Sequence, residues 1–175
     1  MSMIEIFKTE IGQEAQITRK MLACVPEDKY DWRPHTKSMS ISQLVTHICE
    51  LPHWVNIGLT TDVLDFAKNH YEPQLVQNNA DALDLLEKNL ISGLSVLVPE
   101  NEAILGDKWT MCNGDHIILE YTKAEVIRMS ISQTIHHRAQ LGVFLRLLNI
   151  PIPGSYGPSA DEMEQQKEMM AHEKA

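Results

Sequence analysis

The sequence lacks a cysteine framework, an excess of basic residues and a long hydrophobic run. Its 175 residues include only three cysteines, an odd number without C-x-x-C spacing, which excludes a disulfide scaffold and a zinc ribbon. Fifteen Lys and Arg against 24 Asp and Glu give a net charge of −9, which disfavours nucleic acid and anionic membrane surfaces as partners. No segment resembles a signal peptide or membrane span. We therefore expect a cytoplasmic protein.

Four stretches of the chain instead repeat apolar residues at every third or fourth position, which is the period of an α-helix. Capping boxes, formed by Ser40 with Gln43 and by Thr122 with Glu125, begin the second and the last of them. Pro52 should bend or interrupt the second helix, because proline removes a backbone donor. The four stretches are residues 3–24, 41–59, 83–97 and 122–148.

These helices and their mostly polar joints predict an all-α fold, an antiparallel four-helix bundle. The Asn113-Gly114 pair predicts an ordered loop or short hairpin before the last long helix. Residues 1–158 should form a single domain. Residues 159–175 should form a charged C-terminal tail or short helix, and removal of the stretch from Asp161 onward should be nearly silent.

Two adjacent histidines in "SQTIHHRAQLG" raise the question of which side chain faces inward. At about 100° per residue, Gln133 and His137 share the inward face of the last helix, one turn apart, and His136 lies at its border. His47 faces inward on the second helix. Spacing of this kind suits a shared metal ion, although a buried histidine that merely bonds a carbonyl or glutamine is commoner.

Two segments, "VPEDKYDWRPHTKSMSISQLVTHICELPHW" and "QTIHHRAQLGVFLRLLNIPIPGSYGPSADE", resemble the DinB/YfiT-like family of proposed metalloenzymes. The resemblance spans nearly the whole chain and implies a four-helix bundle, often dimeric. In that family three histidines bind a divalent metal. One lies in the second helix, and the others form H-x-x-x-H in the last long helix. By position, the resemblance implies His47 and His137 as metal ligands.

The middle ligand position falls on Gln133, so the third imidazole is missing. Gln133 could ligate through its amide oxygen, His136 or a water could substitute, or the site could have lost its affinity. We expect a weakened site of His47 and His137 that binds zinc or nickel, with Gln133 in contact with the ion or near it.

Two functions follow. The resemblance implies a metal-dependent enzyme of thiol S-transferase or hydrolase type, acting on a thiol or another small molecule, with no catalytic residue identified. The alternative is a non-catalytic small-molecule-binding or structural bundle that has lost metal binding. The aromatic residues that could line a ligand pocket are Tyr30, Trp32, Trp54 and Tyr156.

We also expect a homodimer, because the last helix carries apolar residues away from the His137 face. They are Ile127, Ile131, Ile135 and Leu145.

Overall fold

The computed structural model describes residues 1–172, and the last three residues of the predicted tail, 173–175, lie outside the described part. No helix within residues 1–172 is long and apolar enough to cross a membrane. Short 3-10 turns occur at Glu27–Lys29 and Pro99–Ile104. The main elements are α1 (Met3–Leu22), α2 (Ile41–Glu50), α3 (His53–Thr60), β1 (Val63–Asp65), α4 (Asn79–Ser95), β2 (Lys108–Asn113), β3 (His116–Thr122), α5 (Lys123–Leu147) and α6 (Ala160–His172).

Local side-chain bonds fix where the two site-bearing helices begin. The Ser40 hydroxyl accepts from the backbone N–H of Gln43, and the Gln43 side chain accepts from the backbone N–H of Ser40. Thr122 and Glu125 make the same reciprocal pair before α5. Both predicted capping boxes are confirmed, and each satisfies backbone donors that the first helical turn leaves free.

Pro52 separates α2 from α3, as predicted from its missing backbone donor. Helix α4 packs against this break at Gly93. A β-carbon at Gly93 would lie 2.3 Å from the carbonyl oxygen of Pro52, so only glycine permits this approach. The end of α2, which carries His47, is thereby held between the proline break and α4.

The prediction of an all-α four-helix bundle is wrong, because the chain also forms a three-stranded mixed sheet. The order of the strands in this sheet is β1-β2-β3. Strand β1 pairs parallel to β2, with Val63 opposite Thr110. Strands β2 and β3 form the predicted hairpin, with Gly114 at a φ of 59°. No local sequence signal predicts the parallel pairing of β1 with β2, because β1 has only three residues and its partner strand is distant in sequence.

The sheet is anchored on the helices through Trp109 of β2. Its side chain is fully buried, and its indole Nε1 donates to the hydroxyl of Thr61 over 3.0 Å. The buried ammonium of Lys123 donates to the carbonyl oxygen of Thr61 over 2.8 Å. The end of α3, the sheet and the start of α5 are therefore joined at one place.

A buried ion pair fixes the rotation of α5 against α1. The Arg138 guanidinium lies 2.6 Å from the Glu14 carboxylate, and both side chains are almost wholly buried. Arg138 also donates to the hydroxyls of Thr18 and Tyr156. The centre of the buried face of α5 is therefore Arg138, and His137, expected on the inward face, lies half-buried at its edge.

The apolar residues that suggested a homodimer are covered within the chain. Ile127, Ile131 and Leu145 are buried, and Ile135 packs partly buried against the core of α1, α3 and α4. The surface expected to form a dimer interface is therefore largely occupied by packing within the chain. The homodimer stays a prediction, which light scattering at micromolar concentration would test.

Candidate metal centre

His47 and His137 meet between α2 and α5. His47 lies in the last turn of α2, and His137 lies in the middle of α5. Their ring centroids are 4.6 Å apart and the ring planes meet at 80°. The fold therefore brings together the two histidines that the sequence pattern and the resemblance singled out.

The surroundings of both imidazoles favour the neutral form. Burial lowers the pKa of His47, and the nearby His137 lowers it further. Burial also lowers the pKa of His137, partly offset by a hydrogen bond to Gln140, while His136 adds to the lowering. A neutral imidazole keeps one nitrogen lone pair, which is the form that binds metal ions.

His137 also makes a hydrogen bond to Gln140 within α5. His137 Nδ1 lies 2.9 Å from the side-chain oxygen Oε1 of Gln140, three residues further along α5. Residues three apart on a helix are neighbours on its surface. The glutamine therefore contacts the same imidazole that approaches His47.

Gln133 and His136 lie on the side of α5 that faces β3. Gln133 is half-buried and His136 is exposed, and both line an open groove of about 600 Å³ that also includes Tyr121 of β3. The His136 ring centroid is 4.8 Å from that of His137. The groove is therefore lined by the immediate neighbour of His137 and by Gln133, which lies one helical turn before His137.

The residues of the pair fit a metal ion in part. Two imidazoles that bind one tetrahedral zinc ion, with bonds of about 2.0–2.1 Å, hold their ring centres roughly 5.2–5.3 Å apart, so the observed 4.6 Å requires the two rings to separate by about half an ångström. Within residues 1–172, however, no three His, Cys, Asp or Glu side chains are grouped so that they could hold a metal ion. A site here has two imidazoles and needs oxygen donors from Gln133 or water.

A cavity of about 530 Å³ opens beside His47, between α2, α3 and α4. Glu50 and Tyr71 line it together with His47, and the same three residues also line a second cavity of about 300 Å³. Partial burial and the nearby Glu50 carboxylate raise the pKa of the Tyr71 phenol. The remaining walls of the larger cavity are His53, Trp54, Ile57, Leu64, Phe66, Asn69, His70, Leu85, Lys88 and Asn89.

Only one of the four aromatic residues proposed as pocket walls lines this cavity, namely Trp54. Tyr30 is buried and donates to Asn79 Oδ1 over 2.7 Å. Trp32 packs edge-on against Phe144. Tyr156 donates to the Glu14 carboxylate, so these three are structural contacts.

Sequence reasoning missed Glu50, His53 and His70 as cavity residues. Glu50 follows His47 by three residues on α2, a spacing that places both on one helix face. This spacing alone could have identified Glu50 as a neighbour of His47. His53 lines the cavity, and its Nδ1 lies 2.9 Å from the hydroxyl oxygen of Ser92. His70 lies on a loop with no periodic signal.

The architecture is thus a set of packed helices with a small mixed sheet and a histidine pair at the junction of α2 and α5. The model of the DinB family matches residues 4–169, so the chain belongs to the DinB family. A search of curated protein sequences gives no match.

Solved structures of DinB-like proteins share this fold. A DinB-like protein from Bacillus cereus has 16% sequence identity and a TM-score of 0.67, over 87% of this chain and 97% of that one. A DinB-like protein from Bacillus subtilis has 18% identity and a TM-score of 0.64, over 85% and 96%. A DinB family member from Exiguobacterium sibiricum has 15% identity and a TM-score of 0.63, over 85% and 93%. At such identities the likeness concerns the fold alone.

Proposed function

We propose that this DinB-family protein binds a divalent metal ion, zinc or nickel, through His47 and His137. The observation that carries the proposal is the close approach of two neutral, half-buried imidazoles from different helices, with ring centroids 4.6 Å apart. Imidazole nitrogen is a preferred donor for both metals. Gln133, one turn before His137, supplies an amide oxygen or orients water at the third position.

We further propose that the site serves a metal-dependent reaction on a thiol or another small molecule. A bound zinc or nickel ion supplies Lewis-acid chemistry and favours deprotonation of a coordinated thiol or water. The chain provides the 530 Å³ cavity beside His47 for the substrate. The carboxylate of Glu50 on its wall can accept a proton, and Trp54 supplies apolar contact area for the substrate body.

Calorimetric titration of the untagged, metal-free chain with zinc and with nickel tests the metal site. We expect one binding event in the wild type and its loss in His47→Asn and in His137→Asn. His136→Asn is the matched control, because it removes an adjacent but exposed imidazole on the same helix, and it should bind like the wild type. Equal binding by all four proteins would contradict the proposal.

A second function, binding of a small molecule without a metal, is supported by the cavity itself. Its volume lies in the usual range of about 300–1,000 Å³ for ligand sites, and apolar side chains such as Trp54 and Phe66 line much of it. Binding of an apolar fluorescent probe tests this function. Ile57→Trp should fill the cavity and abolish probe binding, whereas Ile91→Trp, at an exposed site on α4, should leave it intact.

A further inference from the structure

We infer that Gln140 is a positioning residue that holds His137 in the tautomer with its hydrogen on Nδ1, so that Nε2 is the nitrogen available to a ligand. The inference deepens the proposed metal site and rests on it for its functional meaning. It concerns a property of the metal-free chain, however, and can be tested without any metal.

The hydrogen-bond geometry determines which nitrogen carries the hydrogen. The partner of His137 Nδ1 is the amide oxygen of Gln140, at 2.9 Å. A carbonyl oxygen can only accept a hydrogen bond, so Nδ1 must be the donor. A neutral imidazole has a single N–H, and the lone pair is therefore on Nε2.

The hydrogen bond between His137 and Gln140 is held in place by the surrounding structure. Both side chains are half-buried, and α5 fixes them three residues apart on one surface. The rotation of α5 is in turn set by the buried ion pair of Arg138 with Glu14. The imidazole that faces His47 is therefore held both by its helix and by its own hydrogen bond.

This arrangement matches what a metal-binding histidine requires. A ligating imidazole usually donates its second N–H to a carbonyl or carboxylate, which orients the ring and raises its basicity. Gln140 supplies such a carbonyl from within the same helix. Loss of such a partner typically weakens metal binding about 10- to 100-fold.

The test is side-chain ¹⁵N NMR of the full-length, metal-free chain at neutral pH, because the ¹⁵N shifts distinguish the protonated nitrogen from the unprotonated one. In the wild type we expect His137 to carry its hydrogen on Nδ1. Gln140→Leu should move a substantial fraction of the hydrogen to Nε2, whereas Gln140→Glu keeps an acceptor oxygen and should preserve the wild-type tautomer. Ser132→Ala, which changes an exposed side chain on the same helix, is the control and should leave the tautomer of His137 and zinc binding unchanged.

A zinc titration of the same proteins then separates this inference from the proposed function. We expect Gln140→Leu to weaken zinc binding about 10- to 100-fold and Gln140→Glu to retain it. A hydrogen on Nε2 of His137 in the wild type, or an unchanged tautomer in Gln140→Leu, overturns the inference. If the tautomers behave as expected but the wild type binds no zinc, the positioning role is supported and the proposed metal site fails.

Discussion

Replacing Gln133 with histidine should strengthen divalent metal binding. Gln133 occupies the position one turn before His137 on α5, about 6 Å along the helix axis at 1.5 Å per residue. Side chains four residues apart stack with their β-carbons about 5–6 Å apart, so an imidazole at 133 can reach an ion that His137 holds. The substitution would convert a site of two imidazoles into one of three.

The expected gain in metal affinity is at least about 10- to 100-fold. Mutation of residues that only hydrogen-bond a metal ligand already changes affinity by this factor. That factor equals about 1.4–2.8 kcal/mol at 25 °C. Because Gln133 is half-buried at the edge of an open groove, the larger ring should cost little folding free energy, within about 0.5 kcal/mol. Affinity and stability should therefore change independently.

Calorimetric titration of metal-free wild type and Gln133→His with zinc measures the change. Ser132→His is the matched control, because it adds an imidazole at an exposed neighbouring position on the same helix and should leave affinity unchanged. If Gln133→His binds like the wild type while His136→Ala abolishes binding, then the assignment of helix faces is wrong. An equal gain in Ser132→His would indicate only nonspecific binding by an added histidine.

Three further predictions concern stability, each measured by urea unfolding. Gly93→Ala should destabilise the fold by about 1–3 kcal/mol, because its β-carbon would meet the backbone of Pro52. Gly12→Ala, which has open space around it, should instead stabilise the fold by about 0.5–1 kcal/mol. Equal effects of the two substitutions would contradict the close packing at Gly93. Arg138→Met should cost about 3–5 kcal/mol, because its buried carboxylate partner loses its counter-charge, and a loss below 1 kcal/mol would show that the pair is dispensable. The partner Arg146 lowers the pKa of Asp161 from 3.8 to about 2. This pair should therefore stabilise the fold above about pH 4 and lose that effect as the pH falls towards 2. Asp161→Asn should flatten this pH dependence of stability, and an unchanged pH profile in the variant would contradict the role of the pair.

The expectation that removal of the segment from Asp161 onward is nearly silent stays a prediction, and the contacts of Asp161 limit it to the residues that follow the first turn of α6. Asp161 accepts from the backbone N–H of Ile152 over 3.0 Å and pairs with Arg146 of α5. The first turn of α6 is therefore attached to the rest of the chain, whereas residues 163–172 are exposed. Truncation after residue 162 should be nearly silent, and truncation before Asp161 should not.

Helix positions followed from the sequence because their signals are local. The period of the apolar residues, the capping boxes at Ser40 and Thr122, and the break at Pro52 all act within a few residues. The parallel pairing of β1 with β2 has no such signal, because it depends on contacts between Val63–Asp65 and a strand far along the chain. The all-α prediction failed for that reason.

The candidate site was predicted in part for a similar reason. His47 and His137 stood out as polar residues within apolar patterns, and the resemblance connected them. Arg138 did not stand out, because a charged residue is buried only when it is paired, and its partner Glu14 lies on α1. The role of Gln140 likewise required the ring orientation of His137, which periodicity does not provide.

The shared metal ion of His47 and His137 is tested most directly by metal analysis of the untagged protein after zinc or nickel loading and desalting. The wild type should retain about one ion per chain, and the double variant His47→Asn/His137→Asn should retain none. Absence of a retained ion in the loaded wild type, or equal retention by the double variant, would contradict the site.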